Sequence, residues 1–516
     1  MKTTGLFKWV HIVFLALFGV SFTGILLSVI FNKSIYGYNS LLLIAFILLY
    51  LCIFAGAVKL IENNKDFISK NYKLIIFVAA IFMFRVQICV IEPLRFNPIF
   101  DLEAIYKGAI EWAETGSFYH YYSNTCHANY FYIFPNNLGG LAFLTAIFKT
   151  AKLFGVIDYF MYASVVNALL CITTMILTVN IGKKLLGVTG GMYTLLFFLL
   201  SPPFYFIAPV FYTDALSLVF PVAAFNAVLK GEETEKIIGK TGWFALAGVM
   251  CLIGTQIKAT VFILAIATIG YFLLKKKWKD ILTFILLTAT IVGSGFAGFN
   301  SYIYSNQLDK GVADYLGMPI YYWFDLAFHG KGEYNHNIFQ MGYTLEEPEV
   351  REENLKEDIK DSIEDMGPVG LARLFQNKLT LAFGDGTYAL SEYLDDRPYK
   401  KSFLHDVIIY NMKYYDLYRT FATGIFAAIM IMMLLSISFR KRELKILAPQ
   451  LCVFGIMMFL MFWEIKSRYI MTFIPFIFIC SANGMCSLPE RITDFKNGIT
   501  KKDEQQKEVK AVVGRR

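Results

Sequence analysis

The stretch from Phe96 to Phe118, FNPIFDLEAIYKGAIEWAETGSF, decides how the rest of the chain is interpreted. It is the first sizeable polar segment, and it follows the third long apolar run, so it lies at the edge of a membrane. It carries two carboxylates, Asp101 and Glu103, which are costly to desolvate there and therefore need a partner or a task. From Leu102 onward its apolar residues recur at helical spacing, which predicts an amphipathic helix lying on the bilayer. We interpret the stretch as an active-site loop.

The composition predicts a polytopic membrane protein. The chain has 516 residues, of which 56% are hydrophobic and 17% are charged. A soluble domain has roughly 25% charged residues. Many apolar runs reach the roughly 17–25 residues that cross a bilayer. The formal charge of +8 comes from short Lys and Arg clusters between these runs, which is typical of cytoplasmic loops and gives no reason to expect nucleic acid as a partner.

The distribution of lysines predicts the order and direction of the spans. The segment 59–73, KLIENNKDFISKNYK, carries four lysines and is placed inside, so Asp101 faces the extracytoplasmic side. The run Leu138–Phe154 is short for a full crossing, and a full crossing would place Lys183 and Lys184 outside. We therefore interpret it as a re-entrant or half-crossing hairpin. The predicted fold is an all-α bundle of about 12–13 transmembrane helices with both termini in the cytoplasm.

This order divides the chain into four regions. Residues 1–300 form a transmembrane module that includes the first outer loop, 93–137. Residues 301–419 form an extracytoplasmic segment, which is too long for an idle connection. Residues 420–487 hold the last three transmembrane helices, and residues 488–516 form a polar cytoplasmic tail.

Charged residues from distant loops meet at one membrane depth in this topology. Besides Asp101 and Glu103 they are Asp214, Lys258 and Arg468. A carboxylate there would deprotonate an acceptor hydroxyl or hold a divalent metal, and cations would stabilise a phosphate leaving group. We favour Lys258 and Arg468 as phosphate ligands, because a cation on the outer side runs against the positive-inside bias.

Each of these residues also has a purely structural interpretation. Asp101 and Asp214 each precede a predicted helix and could cap it. Glu103 would complement the helix dipole from the first turn, and Lys258 would be an ordinary or snorkelling lysine.

The histidines do not indicate a metal site by their spacing. Five of the six fall in predicted outer segments: His120, His127, His329, His336 and His405. No pair has the spacing of a known zinc motif, so we interpret them as exposed loop residues.

These motifs resemble those of the GT-C superfamily of polyprenyl-phosphate-dependent membrane glycosyltransferases, in particular the glycosyltransferase family 39 branch of protein O-mannosyltransferases and aminoarabinose transferases. FDLEAIYKGAIEWAETG resembles the first outer loop of that family, with Asp101 at its essential acidic position and amphipathic juxtamembrane helices after it. SPPFYFIAPVFYTDALSL is similar to an aromatic-to-Asp motif, and GTQIKATVFIL is similar to a Thr-Lys hairpin. SRYIMTFIPF resembles the Arg-Tyr opening of a late span. These three motifs map to Asp214, Lys258 and Arg468.

The resemblance implies an inverting glycosyltransferase in a bacterial plasma membrane. It would move a sugar from a polyprenyl-phosphate donor to an extracytoplasmic acceptor, which is an envelope glycan, a lipid or a protein. Asp101 would act as base or electrostatic organiser, with Lys258 and Arg468 on the donor phosphate. The participation of a divalent cation stays open, with Asp101 and Glu103 as its ligands. Two other classes also stay open: a transporter or flippase of lipid-linked sugars, and an envelope-polymer ligase or polymerase.

Overall fold

The computed structural model of the protein describes residues 5–118, 130–344, 346–394, 398–437 and 444–489. These ranges are folded into helices and connecting turns and contain no β-strand. Almost all of the predicted cytoplasmic tail lies outside them, as do His120 and His127.

Fourteen long helices make up most of this part of the chain. In chain order they are α1 (Gly5–Phe31), α2 (Ser40–Asn63), α3 (Lys65–Ile91), α4 (Phe100–Thr115), α5 (Leu138–Leu153), α6 (Tyr159–Leu200), α7 (Val219–Glu233), α8 (Ile237–Ile257), α9 (Ile263–Leu274), α10 (Trp278–Asn306), α11 (Pro348–Phe383), α12 (Tyr415–Leu435), α13 (Leu447–Met461) and α14 (Ser467–Pro489). The first turns of α14, Ser467–Phe473, are 3-10 helical.

Short helical segments connect the long ones. They are Lys33–Tyr36, Tyr130–Ile133, Pro203–Phe206, Thr213–Leu216, Lys310–Leu316, Tyr321–Phe328, His336–Gly342, Ser391–Leu394 and Phe403–Ile408, with 3-10 turns at Pro135–Asn137 and Ala259–Phe262.

Helix α6 consists of two antiparallel helices. Gly187 interrupts it with a φ of +83°. A Cβ on Gly182 would lie 2.5 Å from Oγ1 of Thr194, although a residue twelve positions further along a straight helix would be about 18 Å away. The chain therefore reverses at Gly187, and α6 contributes two helical segments.

The all-α polytopic architecture predicted from the sequence is confirmed. Nine helices within the described ranges are long and apolar enough to cross a membrane. Counting α6 twice and adding the shorter apolar helices Ala259–Leu274 and Leu447–Met461 gives twelve apolar helical segments within the described ranges. Helix α5, with 16 residues, is not among them, and its interpretation as a half-crossing stays a prediction.

The amphipathic helix of the first outer loop is α4, but protein covers its apolar face. Leu102, Ile105, Ala109 and Trp112 are all buried. Gly108 allows close packing, because a Cβ there would already lie 3.1 Å from the Leu141 side chain on α5. The expectation that this face rests on the bilayer is therefore wrong. The apolar face of α4 packs against α5 instead of lipid.

Helix α5 also packs closely against the C-terminal end of α8. Gly139, at the start of α5, approaches the main chain of Gln256 so closely that a Cβ would lie 1.8 Å from the Gln256 carbonyl oxygen. Gln256 is in the last turn of α8, and Lys258 follows the end of that helix. Glycine at position 139 therefore contributes to placing Lys258.

We expect Gly139→Ala to destabilise the protein by about 1–3 kcal/mol, because the added methyl group overpacks a tight contact with main-chain atoms. Thermal unfolding of the purified protein in detergent measures the effect. Gly293→Ala on α10 is the matched control, since no atom lies within 4 Å of the position a Cβ would take there. A melting temperature of Gly139→Ala equal to that of the control would contradict the close contact.

Candidate active site

Asp214 lies at the centre of a buried cluster of charged side chains. Its Oδ1 contacts the ammonium of Lys258, and its Oδ2 lies 3.3 Å from Nε of Arg468. The hydroxyl of Tyr393 donates a hydrogen bond to the same Oδ2 at 3.3 Å. Asp214 is not a helix cap, because Tyr212 occupies the N-cap position of its short helix. The carboxylate instead balances two cations.

The cluster continues from Arg468 to two further charged side chains. Nη1 of Arg468 lies 2.9 Å from Oε2 of Glu392, and the ammonium of Lys466 lies 3.2 Å from the same oxygen. The connected ion pairs thus contain three cations and two carboxylates. Three tyrosine rings surround the guanidinium at 5.1–5.7 Å from its carbon: Tyr212, Tyr393 and Tyr469.

The members of this cluster lie at the ends of helices. Lys258 ends α8, Arg468 is in the first turn of α14, and Asp214 lies just before α7. Burial lowers the pKa of the Lys258 ammonium, although the neighbouring Asp214 carboxylate opposes the shift. The structure brings these three residues together, and their chemical roles stay a prediction.

Asp101 is connected to the cluster through Tyr212. The hydroxyl of Tyr212 donates to Oδ2 of Asp101 at 3.3 Å, and its ring packs against Tyr393 with centroids 5.4 Å apart. Asp101 is half-buried, so part of its side chain stays accessible. It does not cap α4, because the N-cap position is Ile99 and Asp101 lies within the first turn.

The backbone directly before Asp101 is strained. Phe100 has a φ of +50°, a conformation that a bulky side chain rarely adopts. Phe100 is 72% exposed, so burial of its ring compensates little of the free-energy cost of this backbone conformation. A strained residue of this kind costs on the order of 1–3 kcal/mol and persists where the surrounding structure fixes it, often at functional sites.

Glu103 has a different immediate partner from Asp101. Its Oε1 contacts the ammonium of Lys107 one turn further along α4, and the Lys107 side chain is 52% exposed. Such an (i, i+4) pair is a local helix contact. Within the described ranges, the one group of three His, Cys, Asp or Glu residues arranged to hold a metal includes neither Glu103 nor Asp101.

The half-buried carboxyl group of Glu464 is connected to the cluster through Tyr469, whose ring lies against Arg468. It accepts a hydrogen bond from the hydroxyl of Tyr469 at 3.0 Å. Its pKa is raised, chiefly because burial disfavours the charged form, and the negative charge of Asp101 adds to the shift. Glu464 therefore has a stronger tendency to hold a proton than an ordinary glutamate.

Sequence reasoning missed two charged residues that shape the site, Lys378 and Glu392. Lys378 is buried, and its ammonium donates to the carbonyl oxygens of Ala327, Met461 and Trp463 at 2.9–3.0 Å. Burial lowers its pKa to about 7. The available signal was the stretch KLTLAFGDGTYALSEY, in which a single lysine opens an apolar run and a single glutamate closes it.

Comparison with known proteins gives a family and two solved structures. The model of a family described as "conserved hypothetical integral membrane protein" matches residues 4–485. Two crystal structures of ArnT from Cupriavidus metallidurans are similar with a TM-score of 0.34 each. The one bound to undecaprenyl phosphate is 11% identical, with 81% of this chain and 78% of that chain covered. The structure of the apo state is 12% identical, with 82% of this chain and 78% of that chain covered. No curated protein matches the chain.

We expect Asp214→Asn to destabilise the fold by about 3–5 kcal/mol, because it leaves two buried cations without their shared carboxylate. Lys258→Gln is expected to cost less, since Asp214 then keeps its contact with Arg468. Chemical unfolding of the purified variants measures both changes.

Glu103→Gln is the control for this comparison, because it makes the same carboxylate-to-amide change in a local surface pair of α4. Equal stabilities of the Asp214→Asn and Glu103→Gln variants would show that the buried cluster does not depend on Asp214.

Proposed function

We propose that this chain, which belongs to the conserved hypothetical integral membrane protein family, is a membrane glycosyltransferase that moves a sugar from a polyprenyl-phosphate donor to an extracytoplasmic acceptor. The acceptor is an envelope glycan, a lipid or a protein. One observation carries the proposal: Lys258 and Arg468 converge on Asp214 at the ends of membrane helices, and Tyr212, which contacts Arg468, donates a hydrogen bond to the half-buried Asp101.

The excess of positive charge in the cluster supports binding of a lipid phosphate. Its ion pairs contain three cations and two carboxylates. A lysine has three N–H donors and an arginine has five, more than Asp214 and Glu392 take up. Lys258 would act as a point charge, and the planar guanidinium of Arg468 matches two phosphate oxygens at once. Both would stabilise the phosphate as it leaves the sugar.

Asp101 would act on the acceptor. In the proposed reaction the acceptor hydroxyl oxygen bonds to the anomeric carbon while the bond from that carbon to the phosphate oxygen breaks, so the configuration inverts. The hydroxyl proton passes to the Asp101 carboxylate, or the carboxylate orients the hydroxyl electrostatically. Polyprenyl phosphate leaves with its charge stabilised by Lys258 and Arg468.

An extracytoplasmic position for the site is supported by the lysines that lie at the opposite ends of the same helices. Asp214 lies before α7, whereas Glu232 and Glu233 end it. Around that far end, carboxylates pair with a group of lysines: Lys184, Lys240, Lys275 and Lys277. Lysines concentrate on the cytoplasmic side, so the opposite end of α7, with Asp214, would face outward.

The depth of the charged residues favours transfer over transport. Secondary transporters bind substrate near the membrane midplane, between interrupted helices. Here Lys258 and Arg468 lie at helix ends, and Asp101 lies in the first turn of α4. This arrangement suits a reaction at the membrane surface, where a lipid headgroup meets an acceptor from outside.

Sugar transfer by the purified protein in proteoliposomes, with labelled polyprenyl-phosphate sugars and envelope extract, tests the proposal. We expect Asp101→Asn to lower turnover by about 10²–10⁴-fold, the usual contribution of a positioned acid or base. Glu114→Gln is the matched control on the same helix, because Glu114 pairs with Lys152 and its side chain is 42% exposed; it is expected to keep its activity.

Two results would contradict the proposal. The first is a wild-type protein that is folded but transfers no sugar from any donor tested, in which case transport of the lipid-linked sugar should be measured. The second is normal transfer by Asp101→Asn, which would remove the catalytic assignment.

A further inference from the structure

A second group of charged side chains lies in the outer segment and shares no member with the cluster around Asp214. Asp325 is in the short helix Tyr321–Phe328, and His329 directly follows that helix. Asp358 comes from α11, which packs against it. One ligand atom from each of the three residues lies within 4.8 Å of the other two. Three residues from two helices thus converge on one point.

The carboxylate of Asp325 is buried, and its nearest cationic group is the imidazole of His329. Its residue is 0% exposed, and neither carboxylate oxygen receives a hydrogen bond from the part of the chain that the structure describes. A buried carboxylate without a hydrogen bond or a cation is costly. Its Oδ1 lies 2.9 Å from Nδ1 of His329, and the same Nδ1 lies 3.0 Å from the main-chain oxygen of Asp325.

The orientation of His329 leaves its other ring nitrogen facing a second carboxylate. In the neutral tautomer that has its N–H on Nδ1, Nε2 carries a lone pair. This Nε2 lies 3.3 Å from Oδ2 of Asp358. A lone pair and a carboxylate oxygen repel each other at that distance unless a proton or a cation lies with them. Histidines that bind metals commonly donate their other N–H to a main-chain carbonyl, and the contact of Nδ1 of His329 with the Asp325 main-chain oxygen fits this pattern.

We propose that Asp325, His329 and Asp358 bind a divalent transition-metal ion of the Zn²⁺ class. Nε2 of the imidazole and one oxygen of each carboxylate supply three ligands, and water completes the coordination, as in zinc sites with three protein ligands. The two carboxylates balance the charge of the ion. The imidazole favours Zn²⁺ over Mg²⁺ and Ca²⁺, which prefer ligand sets made of oxygen.

The ion would join two elements of the outer segment at a place where α11 needs support. Helix α11 is interrupted at Gly367, where φ is +58°. Beside the three ligands, Ser362 of α11 donates to the main-chain oxygen of Phe328 at 2.9 Å, and Ala327, Phe328 and Leu374 form a small apolar core. Metal binding would therefore fix α11 against the short helix before the interruption.

The competing arrangement is a protonated imidazole shared by the two carboxylates. In that case Nε2–H donates to Asp358, the site is electrically satisfied by a proton, and no ion is bound. A metal must displace this proton, so the two arrangements are distinguished by measuring bound metal directly.

The test uses the purified full-length protein after treatment with a chelator. Zn²⁺, Mg²⁺ or Ca²⁺ is added, and elemental analysis and thermal unfolding are measured for each. We expect one Zn²⁺ per chain and a higher melting temperature with Zn²⁺, and neither effect with Mg²⁺ or Ca²⁺. His329→Gln is expected to weaken Zn²⁺ binding by more than the roughly 10–100-fold that loss of a supporting hydrogen-bond partner costs.

Two further variants keep the test decisive. Asp358→Asn removes a ligand whose side chain is 34% exposed, so the fold is expected to tolerate the change while Zn²⁺ binding is lost. His336→Gln removes an exposed histidine of the same segment and is expected to bind Zn²⁺ like the wild type. A wild type without bound Zn²⁺ or a Zn²⁺-dependent shift, equal binding by His329→Gln and wild type, or an equal response to Mg²⁺ would each overturn the proposal.

Discussion

Three membrane helices depend on one buried carboxylate. Asp214 precedes α7, while its two cationic partners end α8 and begin α14. Without a shared anion, Lys258 and Arg468 would repel each other in a medium that solvates charge poorly. With it, their attraction holds the start of α7, the end of α8 and the start of α14 together. The tyrosine rings around Arg468 add contacts that exclude water, so the charged groups have defined positions rather than alternative ones in solvent.

The outer segment is part of this arrangement rather than an addition to it. The main-chain N–H groups of Glu464 and Ile465 donate to the carbonyl oxygens of Trp323 and Gly332, at 3.1 and 2.7 Å. The ring of Trp323 stacks on Trp463 with an angle of 6° between their planes. Lys378 donates to carbonyl groups on both sides of this junction. The chain that leads into Arg468 is therefore shaped by the outer segment.

Part of the site could be predicted because membrane topology reduces the number of possible neighbours. Once the spans and their direction are set, Asp214, Lys258 and Arg468 must lie near one surface. The sequence could not show whether the Asp214 carboxylate caps a helix or pairs with cations. An aspartate directly before a helix is compatible with both roles. Glu392 and Lys378 escaped prediction because they come from the outer segment, where no lipid boundary restricts which residues meet.

The sequence by itself determined the class of the protein, its apolar spans and the sides on which lysines concentrate. These properties follow from local composition, because the bilayer selects for length and hydrophobicity along the chain. The tertiary structure alone decided that α5 covers the apolar face of α4, that Asp101 contacts Tyr212, and that Asp325, His329 and Asp358 converge. An apolar helix face has the same periodicity whether lipid or protein covers it, and contacts between distant residues depend on packing that no local pattern records.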